Sequence, residues 1–102
     1  MNEKMNKINC ELIGYVGAAK GLFVESIELA AKGEIEKAKE LYNQGEQAFT
    51  EGHKVHGSLL TKFANGEDVP VDILTVHAQC QMMSAEDFKV LAEKIIELKS
   101  SK

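Results

Sequence analysis

Glycine and proline divide this sequence into three long segments, each with its apolar residues spaced as in a helix. Steps of three and four residues recur from about residue 9 to 32 and from 34 to 64, and Gly33 separates the two segments. The second segment ends at Asn65-Gly66, and a polar loop with Pro70 leads to Asp72, which is suited to cap a third helix. No run of alternating β-branched residues is present. We therefore predict an all-α chain and, because the connections are short, an antiparallel up-down-up three-helix bundle.

One face of each predicted helix supplies the expected core. In the first two helices these faces contain Leu12, Val16, Ala19, Phe23, Ile27 and Ala30, and then Ile35, Ala38, Leu41, Ala48, Val55, Leu59 and Phe63. In the third helix the predicted inward seam contains Phe88, Leu91, Ile95 and Leu98, and its backward extension contains Ser84, Gln81, His77 and Leu74. A buried polar group lowers stability unless it is hydrogen-bonded, so it is kept for a structural or functional role. His77 is therefore a candidate functional residue.

Length and charge limit the classes of protein to consider. The 102 residues contain no recognisable linker, so we expect a single domain over 1–102. The formal net charge is −4 and the lysines are scattered among glutamates, which argues against nucleic acid or an anionic membrane as partner. The apolar runs are too short for insertion into a bilayer, and the first residues lack the apolar core of a secretory signal. Cys10 and Cys80 form no recognisable spacing motif, so a cytoplasmic protein with free thiols is expected.

The first half of the third helix is apolar in nearly every direction. Its apolar residues are Ile73, Leu74, Val76, Ala78, Met82 and Met83. A helix that is apolar all round is normally buried all round, which a three-helix monomer cannot achieve. We therefore predict a homo-oligomer. Gly45 and Gly52 share one helix face, and we interpret them as helix crossings rather than ligand contacts.

The stretch 64–79, which ends in Val76-His77-Ala78-Gln79, resembles a known family. It is similar to the region around the phosphorylated histidine in the lactose/cellobiose-type enzyme IIA of the bacterial phosphoenolpyruvate-dependent sugar phosphotransferase system. The segment 51–54 and the Glu/Lys-rich tail extend the resemblance over nearly the whole chain. The resemblance implies a homotrimer in which His77 accepts a phosphoryl group from the phosphocarrier protein HPr. It then passes the group to a cysteine of the cognate enzyme IIB. The sugar would be lactose, cellobiose, chitobiose or another β-glucoside.

Three neighbours of His77 are candidates for hydrogen bonds to the phosphoryl group. Gln79 matches the glutamine of the family motif, and Gln81 and Ser84 follow His77 on its own helix face. Uncharged donors can hold a phosphoryl group without trapping it, as a relay requires. If Asp72 is the N-cap, the positive end of the helix dipole favours both the neutral ring and the phosphoryl group. Alternatively, Gln79 faces solvent and Ser84 begins a polar turn.

Cys80 departs from the family pattern. Members of the family have an aspartate there, and the aspartates of three subunits bind a metal ion on the threefold axis. A thiol removes the buried charges that the ion would balance, so we predict a trimer without metal or cofactor. Three converging thiols that bind zinc are the alternative.

Two other functions remain open. In the first, the protein is a silent or regulatory helical module in which His77 is a polar layer that specifies assembly. In the second, it is a metal-binding bundle that uses Cys80. His53 and His56 have a spacing that could hold a metal, but no carboxylate or cysteine is placed to complete that site, so we interpret them as surface or interface residues.

Overall fold

Three helices account for nearly all of the chain. The computed structural model describes residues 3–101, with α1 at Glu3–Ala31, α2 at Ile35–Ala64 and α3 at Ile73–Ser100. The described residues contain no strand. The predicted all-α class is confirmed, and α1 begins about six residues before the predicted start because no glycine or proline precedes Asn9 to stop it.

The first two helices end in the same glycine turn. Gly33 has φ 86° and Gly66 has φ 81°, a left-handed conformation that glycine adopts at little cost. After α1, the N–H of Glu34 donates to the carbonyl of Leu29 at 3.0 Å. After α2, the N–H of Glu67 donates to the carbonyl of Lys62 at 3.0 Å. These bonds satisfy carbonyls that each helix end would otherwise leave free, so both glycines act as the predicted stops.

The helices run up, down and up, and α1 packs against both of the others more extensively than they pack against each other. The hydroxyl of Ser26 donates to the carbonyl of Ala38 at 2.7 Å, which joins α1 to α2 at one end of the bundle. At the other end the side-chain amide of Asn9 donates to the hydroxyl of Thr75 at 2.8 Å. The start of α3 therefore lies beside the start of α1, in a bundle that measures 51 × 22 × 17 Å.

Two glycines of α2 allow the close approach of α1. A Cβ atom built on Gly45 would lie 2.7 Å from the Cε1 atom of Phe23, and one on Gly52 would lie 2.8 Å from the Cγ1 atom of Val16. Both contacts are shorter than real Cβ atoms make, which confirms these glycines as helix crossings. The predicted core face of α1 is buried or half-buried throughout, whereas Phe63 near the end of α2 is 69 % exposed and was wrongly assigned to the core.

The predicted inward seam of α3 is displaced by about one residue. The buried residues are Thr75, Ala78, Met82, Ala85, Ala92 and Ile96. Leu91 and Leu98 are instead 50 % and 67 % exposed, and His77 is exposed too. Ala78, Ala85 and Ala92 recur every seven residues, so small side chains form much of the face of α3 that lies against the bundle. Phe88 is half-buried against the core, so the prediction was correct there.

Candidate functional site

His77 lies in the second turn of α3, where the structure confirms the predicted cap. The carboxylate of Asp72 accepts the backbone N–H of Thr75 at 3.0 Å and the hydroxyl of the same residue at 3.1 Å. The hydrogen bond from this backbone N–H lowers the pKa of Asp72 below the ordinary value of an aspartate. The first turn of α3 is thus held by an ionised side chain, and His77 follows in the next turn.

The imidazole of His77 is exposed and makes no hydrogen bond or ion pair within residues 3–101. It is therefore not a buried polar layer of the three-helix bundle. A ring nitrogen with a free lone pair and open access can attack an electrophile such as a phosphoryl group. What the chain provides at this position is an accessible nucleophile on a rigid helix.

The three candidate neighbours divide into two sets. Gln81 and Ser84 are half-buried and lie on the His77 face of α3, one and two turns further on. Gln79 is half-buried on another side of the helix, where it lines a groove between α2 and α3. Gln79 is thus partly covered rather than fully open to solvent. Since α3 continues to Ser100 without a break, Ser84 does not begin a turn.

This groove has a volume of about 350 Å³ and is mainly apolar. Its lining residues come from the end of α2, the connection and the start of α3: His56, Leu59, Leu60, Phe63, Val69, Val71, Thr75, Val76, Gln79 and Cys80. Four of them are large apolar side chains at least half exposed, namely Leu60, Phe63, Val71 and Val76. The region therefore presents a contiguous exposed apolar surface, of the kind found at interaction sites.

The other two histidines lie away from His77. His53 is exposed beside the ring of Phe49, with ring centroids 6.4 Å apart, and His56 is half-buried in the groove that Cys80 also lines. Among residues 3–101, no group of three or more histidine, cysteine, aspartate or glutamate side chains is placed to hold a metal ion. Across the same residues, no helix is long and apolar enough to cross a membrane.

Two residues of the site were not selected from the sequence. Thr75 carries the hydroxyl that Asp72 accepts, and Asn9 reaches that hydroxyl from α1. A polar residue at position 9 of the stripe formed by Met5, Leu12 and Val16 was a visible signal, because it interrupts an otherwise apolar face. That Thr75 is the hydrogen-bond partner of Asn9 could not be predicted without knowing how α1 packs against α3.

The chain is similar to proteins of one family. Residues 7–100 match the family model described as "PTS system, Lactose/Cellobiose specific IIA subunit". The lactose-specific EIIA component of Streptococcus mutans is 30% identical over 96 residues, which cover 94% of this chain and 92% of that protein. The cellobiose-specific EIIA component of Lactococcus lactis is 38% identical over 80 residues, 78% of this chain and 69% of that protein.

Solved structures agree with this similarity. The cellobiose-specific enzyme IIA of Bacillus anthracis superposes with a TM-score of 0.93 at 29% identity, covering 99% of this chain and 93% of that one. The IIA(chitobiose) chain of Escherichia coli, solved in complex with HPr, gives a TM-score of 0.76 at 27% identity, covering 98% and 97%.

Proposed function

Because the chain belongs to the lactose/cellobiose-specific IIA family of the sugar phosphotransferase system, we propose that it is a phosphoryl carrier with His77 as its acceptor. The group would come from phospho-HPr and pass to a cysteine of a cognate enzyme IIB in the cytoplasm. The observation that carries the proposal is the exposed, unpaired imidazole of His77 behind the Asp72 cap of α3. The HPr complex of the related chitobiose protein supports HPr as the donor.

Phosphoryl transfer requires the chain mainly to hold the His77 imidazole in position. A lone pair on one nitrogen of the neutral His77 ring attacks phosphorus, the bond between phosphorus and its HPr atom breaks, and a phosphorus–nitrogen bond forms. The second ring nitrogen keeps its proton. Transfer to enzyme IIB reverses these roles, with the cysteine thiolate as nucleophile. Gln81 and Ser84 follow His77 on its helix face and are the candidate donors to the phosphoryl oxygens within one chain.

We further propose a homotrimer formed through α3. Ile73, Val76, Met83 and Val90 are all at least half exposed. With Cys80 they follow one helix face at steps of three and four as far as Met83, and Val90 lies seven residues further on. A second and third copy would cover this stripe and the adjoining groove, which contains Gln79. Gln79 would then serve the assembly rather than the His77 of its own chain.

The metal ion implied by the family does not fit the residue at its position. Cys80 is exposed on this stripe and offers a thiol, a softer ligand than the carboxylate of related proteins. Three uncharged thiols do not repel one another as three carboxylates would. The carrier is therefore proposed to work without a metal, and no step of transfer is assigned to one.

Labelling tests this function directly. The native protein is incubated with phosphoenolpyruvate labelled at phosphorus, enzyme I and HPr, and we expect one acid-labile phosphate per chain. His77→Ala should take up none while its helix content stays native, since the exposed ring makes no contact that the fold needs. His53→Ala and His56→Ala are the matched controls and should label fully. If the native protein takes up no phosphate, it is a silent or regulatory helical module and not a carrier.

A further inference from the structure

Asn9 is a buried polar residue on the apolar face of α1. It is 0 % exposed, and its side-chain amide nitrogen donates to the Thr75 hydroxyl at 2.8 Å. Its Oδ1 atom accepts no hydrogen bond among residues 3–101. A buried acceptor left without a donor lowers stability, and a leucine of similar size would avoid that cost. Packing alone therefore does not explain an asparagine here.

Hydrogen bonds connect the Asn9 side chain to the start of α3. Thr75 accepts from Asn9 and donates its own hydroxyl to the Asp72 carboxylate, which also takes the Thr75 backbone N–H. The three residues form one chain of hydrogen bonds from the buried interior at this end of the bundle to the cap. Residues 67–71, which precede the cap, are not helical, and the chain of bonds ties the first turn of α3 to α1.

His77 comes two residues after Thr75. Side chains of a helix lean toward its N-terminus, so the imidazole lies over the turn that Asp72 and Thr75 hold. Transfer of a phosphoryl group depends steeply on the position of the attacking atom, and a displacement of about 1 Å can cost about 100-fold in rate. If the first turn of α3 were free to shift, the attacking nitrogen of His77 would move by a distance of this size.

We infer that Asn9 is a positioning residue for phosphoryl transfer at His77, acting through Thr75 and Asp72 to hold the first turn of α3 in its reactive place. The inference rests on the proposed function and adds to it a residue of α1 that contacts neither the phosphoryl group nor HPr.

The test compares Asn9→Leu and Thr75→Val in the full-length chain. Rapid-quench measurement with phospho-HPr gives the maximal transfer rate and the phospho-HPr concentration at half of that rate. We expect each variant to lose about 10-fold in maximal rate. The half-saturating concentration should stay within about twofold, because a buried residue does not touch the donor. Thr75→Ser, which keeps the hydroxyl, should recover most of the rate that Thr75→Val loses.

The double variant separates positioning from stability. Thr75→Val alone leaves the Asn9 amide buried without an acceptor, and Asn9→Leu in the same chain removes that orphaned group. The double variant should therefore melt at a higher temperature than Thr75→Val but transfer no faster. A purely structural role predicts instead that rate and melting temperature recover together.

Ser26→Ala is the matched control. Ser26 is another fully buried polar residue of α1, and its hydroxyl bonds the Ala38 carbonyl at the opposite end of the bundle. This variant should lower the melting temperature and leave the maximal rate native. Native rates in both Asn9→Leu and Thr75→Val would overturn the inference, as would an equal rate loss in Ser26→Ala. Absence of label on the native protein would instead overturn the proposed function.

Discussion

His77 differs from the other two histidines in what surrounds it. His53 lies beside an aromatic ring and His56 lines an apolar groove, whereas His77 is exposed on the capped first turns of α3. On its helix face the next polar side chain is Gln81, which lies one turn further on and is half-buried. Its place one turn from His77 is the reason Gln81 is proposed as a donor to a phosphoryl oxygen.

Replacing Gln81 with leucine should therefore slow transfer to and from His77 by about 10- to 100-fold. This range corresponds to one transition-state hydrogen bond of about 1.4–2.7 kcal/mol. Rapid-quench reactions with phospho-HPr measure transfer to His77, and rapid-quench reactions with enzyme IIB measure transfer from it. Gln47→Leu, an exposed amide of α2, is the control and should transfer at the native rate. Native rates for Gln81→Leu in both directions would make Gln81 a packing residue.

A small number of turn, cap and crossing residues position each helix. Glycine turns end α1 and α2, an aspartate starts α3, and two glycines of α2 set how closely it approaches α1. Each cap or turn acts within one or two turns, and each of the two glycines acts at one point of contact with α1. Removing any one of them should therefore change stability without changing the order of the helices.

Gly45→Ala should destabilise the protein. The new Cβ would lie 2.7 Å from the fully buried ring of Phe23, and such overpacking costs about 1–3 kcal/mol, more than the gain of about 1 kcal/mol in helix propensity. Gly17→Ala is the control, because nothing lies within 4 Å of its Cβ position, and it should stabilise. Urea unfolding measures both variants, and equal stabilities would refute the close crossing.

Asp72→Ala should lower the melting temperature at neutral pH. The pKa of Asp72 is lowered in the folded chain by the backbone N–H of Thr75, so the ionised carboxylate stabilises the fold above the ordinary pKa of aspartate. This contribution is lost as the pH falls through the folded-state value. Thermal unfolding across pH should therefore show the native and variant curves converging in acid. Asp68→Ala, in the exposed connection, should follow the native curve throughout.

At the scale of the whole molecule, a single chain leaves much apolar surface uncovered. Ile73 is 87 % exposed and Met83 is 65 % exposed, and the groove beside them opens on the same side of α3. Surface of this kind marks a protein interface. A trimer through α3 would cover it and would place the three Cys80 thiols near one another.

The protein should sediment at about three times its chain mass of 11.2 kDa, and chelators should not lower its melting temperature. Cys80→Asp should destabilise the trimer in chelator, because converging carboxylates repel, and an added divalent ion should restore it. Cys80→Ser is the control and should not respond to the ion. A monomer would contradict the proposed assembly, and a native trimer that dissociates only in chelator would show that the thiols bind a metal.

Local chemistry made the helices, their ends and the place of His77 along α3 readable from the sequence, although the exposure of His77 was not. Glycine at 33 and 66 and aspartate at 72 act within one turn, so no distant contact was needed to predict them. The family resemblance rested on the residues around His77 and needed no coordinates. The Gln81 and Ser84 candidates followed from helical spacing alone.

Tertiary packing decided how α3 is rotated about its axis and which residue of α1 holds it. The first half of α3 is apolar all round, so its pattern did not specify one face, and the small alanines at 78, 85 and 92 took the place expected for bulkier residues. The hydrogen bond from Asn9 to Thr75 joins residues 66 positions apart. A contact over that separation depends on how two helices pack, and local sequence spacing carries no information about it.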